Sequence, residues 1–158
     1  MRINYYMHSK EATDGLFAIE AALAKSAVPK EIKNLIKIRV SQMNGCLFCL
    51  DMHIKEARKS KEAELRVHHV AVWHESKLFT EKEKAALEWA ELLTHLPVYG
   101  ITDEHFAKVK TQFDDKEISD LSFAIAMINL WNRFGVAFTP TPGSMDKLMG
   151  IDGVRLND

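Results

Sequence analysis

The sequence predicts an all-α fold, a single-domain helical bundle, on three observations. Apolar residues recur at three- and four-residue spacing along most of the 158 residues, which is the period of helices with one buried face. Glycine and proline are scarce, 7 and 4 in number, and they cluster where helices would end. No stretch alternates apolar and polar residues with period two, so little sheet is expected.

Taken in order, Leu16, Ile19, Glu20 and Leu23 share a face of the first helix. Pro29 opens a second, carrying Ile32, Leu35, Ile36, Arg39, Val40 and Met43, which the Asn44-Gly45 pair ends. Cys46, Cys49, Leu50, His53, Ile54 and Ala57 make a third, with Cys46 in its first turn. Leu65, His69, Val72 and Trp73 form part of a fourth. Thr80 followed by Glu83 has the form of a capping box and starts a helix with Ala86, Leu87, Ala90 and Leu93. Thr102 or Asp103 caps another, with Phe106, Val109 and Phe113. Asp115 precedes a long helix bearing Ile118, Leu121, Ile125, Ile128, Asn129, Trp131 and Asn132. That helix is apolar on most of its girth, which suits either a central helix that also contributes to a homo-oligomer interface or a core helix alone. Trp73, Trp89 and Trp131 read as core or interface anchors, and Glu81 to Lys84 as a solvated, internally paired face. Residues 139–158, with Pro140, Pro142 and Gly143, read as a loosely held tail. One domain therefore spans residues 1–158, its core running from about 15 to 138.

Composition excludes several classes. The length fits one domain, and 47% hydrophobic with 27% charged residues excludes a disordered chain. Lys plus Arg number 21 and Asp plus Glu 22, without the basic excess of a nucleic-acid binder. No run of about 18 uncharged apolar residues is present, so no membrane-crossing helix is expected. Met1 to Lys10 lacks the pattern of a secretory signal. The expected location is the cytoplasm.

The chemistry is concentrated in one segment, Ser41 to His53. Cys46, Cys49 and His53 stand at i, i+3 and i+7 and line one helical stripe. Cysteines three apart can close a disulfide, and a close pair in a reducing compartment reads as redox chemistry or metal binding. Inert packing is the bland alternative. Zinc needs four ligands, and the candidates beyond the stripe are His68, His69 and His74. Two effects compete for the reactive thiolate. The helix N-terminus favours Cys46 by about 0.3–1 kcal/mol, whereas a base one turn away favours Cys49 by about 10²–10⁴-fold in rate. The larger effect makes Cys49 the attacking thiol, His53 its base and Cys46 the resolving thiol. His69 shares a face with Leu65 and Trp73 and is either a neighbour of this site or a hydrogen-bonded core histidine.

The segment Ser41-Gln42-Met43-Asn44-Gly45-Cys46-x-x-Cys49-x-Asp51-Met52-His53 resembles the core motif of the AhpD-like (alkylhydroperoxidase D-like) branch of the carboxymuconolactone decarboxylase family. Ala71 to Glu75, Phe79 to Leu87 and Ile125 to Arg133 also look like it, so the likeness covers about residues 15 to 138. The resemblance implies an all-helical subunit that assembles into homo-trimers or homo-hexamers. It also implies a cysteine-based peroxidase without haem, flavin, metal or other cofactor. The cysteine next to the histidine attacks the peroxide, and a dithiol, dihydrolipoyl or thioredoxin-like, restores both thiols.

Two departures stand out. The family often has a proton-relaying glutamate twelve residues before the first cysteine, and that position here is Asn34. Glu31, one turn earlier, is the candidate substitute, displaced by about 5 Å. Some members place a histidine between the cysteines, where this chain has Phe48. Both departures suggest a weakened peroxidase or one tuned to another thiol. Two other readings compete: a ring-acid decarboxylase of the wider family, against which the cysteine pair argues, and a non-enzymatic redox-sensing or zinc-binding helical module.

Overall fold

The computed structural model describes residues 1–154, which form helices and turns without a strand among the described residues. Its helices are α1 (Tyr5–His8), α2 (Lys10–Ala24), α3 (Lys30–Met43), α4 (Leu47–Lys59), α5 (Glu64–His69), α6 (Glu81–Thr94), α7 (Asp103–Lys110), α8 (Asp115–Phe138) and α9 (Asp146–Met149), with a 3₁₀ segment at Val70–Glu75. The all-α single domain agrees with the periodicity.

Helix α3 is the hub, packed against α4, α6 and α8. Its apolar residues divide between two cores. Ile36 and Val40 join Ala86, Leu121, Ile125 and Ile128 on one side, while Leu35 and Ile38 join Ala57, Val70, Trp73 and Leu87 on the other. Each fully buried aliphatic side chain contributes about 1.5–3 kcal/mol, so a helix buried on both sides anchors the bundle.

Local chemistry sets the boundaries. Thr80 and Glu83 form the expected capping box. Thr102, rather than Asp103, caps α7, with His105 completing a box. Asp114, rather than Asp115, caps α8: its Oδ1 accepts the Glu117 N–H at 2.7 Å and the Glu117 carboxylate accepts the Asp114 N–H at 3.0 Å. The fourth helix differs from expectation. Leu65 and Val72 are 58% exposed, and Val67, Val70 and Trp73 are buried instead, because non-helical backbone at Val72 re-aims the segment. Within the expected solvated run, Glu83 is buried and pairs with Arg66 at 2.5 Å. All three tryptophans are anchored: Trp73 donates to Glu91, Trp89 to Ser122 and Trp131 to Glu20.

The ends are tied down. The Tyr5 ring packs on Phe134 and Phe138, which gives α1 an anchor that the sequence reading lacked. The tail expected to be loosely held makes specific contacts over its described part. Asp146 pairs with Lys55 at 2.7 Å, the Gly150 carbonyl accepts from Lys59 at 2.7 Å, and Ile151 is buried. Residues 155–158 of that tail lie outside the described residues. Helix α8 is long and apolar enough to cross a membrane by length and composition alone. In the bundle its Leu121, Ile125 and Ile128 fill a core shared with α3 and α6.

Candidate thiol site

The turn from α3 into α4 builds the site. Gly45, in the left-handed region at φ 64°, lets the Gly45 N–H reach the Gln42 carbonyl and the Cys46 N–H reach the Ser41 carbonyl. That pair of bonds is a Schellman closure. Cys46 is therefore the residue that ends α3 and also caps α4, its Sγ accepting the Cys49 N–H at 3.3 Å. It stands one position before the helical turn that the sequence suggested. A sulfur in the cap position accepts from first-turn N–H groups, which favours a thiolate there.

Buried amides pin this turn to α8. Asn44 donates to the side-chain oxygens of Asn129 and Asn132, each at 2.9 Å. Asn132 donates to Ser41 Oγ at 3.1 Å, and Asn129 to Thr94 Oγ1 at 3.0 Å. Asn132, none of whose surface is exposed, also favours the thiolate form of both cysteines, for Cys49 against a larger upward pull. Gly135, one turn along α8, presses bare backbone on the pair. A Cβ there would overlap the Cys46 sulfur and come within 3.2 Å of the Cys49 sulfur, so both sulfurs meet one small space.

Both cysteines are free thiols, buried to within 2% of full exclusion. The Cys49 thiol donates to the Cys46 sulfur, and this bond is the main reason the Cys46 pKa falls to about 7 against the opposing pull of burial. Cys49 moves upward, through the same bond and through burial. Within the pair the thiolate is therefore favoured on Cys46 and the proton on Cys49.

Only Cys49 of the two sulfurs lines a cavity of about 150 Å³, together with His53, Glu56, Phe48, Tyr5 and Trp131. His53 is 3% exposed, and its Nδ1 lies 2.7 Å from Glu56 Oε2. Burial lowers the His53 pKa although the Glu56 bond opposes this. Burial raises Glu56, but the His53 bond and the charge of Lys37 outweigh it and leave the carboxyl below its ordinary value. Near neutral pH this is a neutral imidazole donating Nδ1–H to a carboxylate, which leaves Nε2 as an acceptor. Tyr5 shares the cavity; its hydroxyl donates to Tyr6 at 2.8 Å, and burial pushes its pKa up.

The other sequence candidates lie elsewhere. Glu31 is exposed at the start of α3 and does not line the cavity. Asn34 is buried but lines an adjoining cavity. His69 hydrogen-bonds Ser76 at 2.9 Å, away from the cavity wall. Among the described residues, no group of three or more His, Cys, Asp or Glu side chains is placed to hold a metal. His68 is solvated beside Glu64 and His74 stacks on Trp73. The sequence reading missed Glu56, Gly135 and the role of Asn132. Glu56 had a signal, since it stands three residues after His53 on the same helical face.

Comparisons with known proteins agree with this architecture. Residues 10–92 match the carboxymuconolactone decarboxylase family. The uncharacterised protein YdfG of Bacillus subtilis is 39% identical over 136 residues, 86% of this chain and 92% of its own length. A solved protein of unknown function from Agrobacterium tumefaciens, provisionally named an AhpD antioxidant defence protein, superposes with TM-score 0.83 at 38% identity over 89% of this chain and 96% of that one. An uncharacterised peroxidase-related protein with an alkylhydroperoxidase AhpD core, from Ralstonia eutropha, shares the fold at TM-score 0.78 and 22% identity, over 92% and 78% of the two chains. The chain belongs to the carboxymuconolactone decarboxylase family, in its AhpD-like branch.

Proposed function

We propose that this protein is a thiol-dependent peroxidase that reduces hydrogen peroxide or organic hydroperoxides through a dithiol–disulfide cycle. The supporting observation is that Cys49 and His53 line one cavity while Cys46 lies behind Cys49 against Gly135. The proton on Cys49 passes to Cys46 or to His53 Nε2, and the Cys49 thiolate attacks the outer oxygen of the peroxide. The O–O bond breaks, Cys49 becomes a sulfenic acid, and the leaving alkoxide takes a proton to depart as an alcohol. The Cys46 sulfur then attacks the Cys49 sulfur, closing the disulfide and releasing water. A dithiol, dihydrolipoyl or thioredoxin-like, reduces the disulfide. Glu56 acts as a positioning residue that fixes the His53 tautomer, in place of the relay glutamate that Asn34 replaces. The same reading assembles the chain into homo-trimers or homo-hexamers.

The depressed pKa of Cys46 favours a second reading in which the two sulfurs exchange roles. Trapping separates them. One equivalent of peroxide is expected to leave a sulfenic acid on Cys49 in Cys46→Ser, detected by mass after dimedone labelling. Cys49→Ser is expected to give neither label nor dithiol-coupled turnover. A label on Cys46 in Cys49→Ser reverses the roles, and wild-type protein inert to every hydroperoxide with both dithiols sinks the reading.

A further inference from the structure

A second cavity, of about 310 Å³, adjoins the thiol cavity, and Glu20, Lys37, Glu56 and Met149 line both. The chemistry changes across that shared wall. Tyr6, Phe17, Phe48, Met52 and Trp131 make the thiol cavity apolar. Lys30, Lys33, Lys37 and Lys59 line the second.

These lysines are short of anions. Two carboxylates line the cavity with them and a third, Asp120, bears on Lys33, and all three are engaged, Asp120 by Lys116. Glu20 accepts from Trp131 at 3.0 Å and pairs with Lys37 at 3.6 Å, and Glu56 holds His53. Lys33 donates to the Leu23 carbonyl at 2.9 Å and to the Ser26 hydroxyl at 3.4 Å. Lys59 donates to the Gly150 carbonyl, and the Lys30 side chain has no hydrogen bond or ion pair among the described residues. Lys30, Lys33 and Lys37 fall at i, i+3 and i+7 on α3, a spacing at which like charges repel. Burial, then the charge of Lys37, holds the Lys33 ammonium below its ordinary pKa. A bound anion would relieve that repulsion.

We infer that the second cavity receives a carboxylate, and that the substrate is an organic hydroperoxide with an apolar body in the thiol cavity and a carboxylate head among these lysines. This assignment rests on the peroxidase reading, whereas the carboxylate subsite itself does not. A carboxylate is fully charged near neutral pH, and its attraction to partly solvated ammonium groups weakens with salt.

Decanoate and decanamide, which share a chain and carry no peroxide, test the subsite by calorimetry on the full-length protein. Decanoate is expected to bind more tightly than decanamide, and less tightly as salt rises. Lys30→Gln is expected to weaken decanoate about three- to five-fold, the loss of one exposed charge pair, and Lys30→Glu further. The second arm is kinetic. The kcat/KM ratio for a fatty-acid hydroperoxide over its methyl ester is expected to fall by the same factor in Lys30→Gln. Equal binding of decanoate and decanamide overturns the subsite even with peroxide turnover intact. Selective decanoate binding without turnover of any hydroperoxide overturns the peroxidase reading and the substrate assignment, and leaves the subsite standing.

Discussion

Two sulfurs three residues apart differ in charge because of the bond between them. The Cys49 thiol donates to Cys46, and a donated hydrogen bond stabilises the anion that accepts it. Absorbance at 240 nm is therefore expected to report one thiolate with a midpoint of about 7. Cys49→Ala removes the donor, so the midpoint should rise toward the ordinary cysteine value of about 8.5; an unmoved midpoint would assign the shift to the helix terminus instead. The sequence carries the helix terminus and the histidine one turn on. It did not show that the decisive partner of each sulfur is the other, since that depends on side-chain rotamers. The carboxylate beside the histidine likewise differs from expectation, because Glu56 reaches His53 within its own helix at 2.7 Å, whereas Glu31 is exposed.

At the scale of elements, α8 closes the site from behind. Gly135→Ala would normally gain about 1 kcal/mol in a helix interior. Here the added methyl meets two buried sulfurs, and overpacking of that kind costs about 1–3 kcal/mol. The larger effect wins, so Gly135→Ala is expected to melt a few degrees lower and to form the Cys46–Cys49 disulfide more slowly after one equivalent of peroxide. An unchanged melting temperature and disulfide rate would mean that the close approach is unimportant. The capping box at Thr80 was legible because it is complete within four residues. The kink at Val72 was not, because Trp73 and Val70 are drawn into a core made by α3 and α6. Short α1 escaped for the same reason, its Tyr5 resting on rings from the far end of α8.

Over the whole molecule, large apolar side chains are left in solvent. Val98 and Tyr99 are 94% and 98% exposed, and Phe123 and Val136 on α8 about half exposed. The proposed homo-trimer or homo-hexamer would cover side chains of this kind. Light scattering is expected to give a mass three or six times 18.0 kDa, and Phe123→Glu to shift it toward the single chain. A monomer in the wild type would remove the assembly from the reading.

The main helices, the Thr80 capping box and the one-turn spacing of Cys49 and His53 were determined by the sequence alone, because each depends on residues within about two helical turns and on a fixed 3.6-residue period. Only the tertiary structure decided that Gly135 and Asn132 meet the sulfurs, and that Cys49 rather than Cys46 opens to the cavity. It alone set a lysine-lined space against the far side of Glu56. Asn132 meets Ser41 across 91 positions, and a contact of that reach leaves no local pattern. It exists because buried amides and bare glycine backbone are packed where the α3–α4 turn crosses α8.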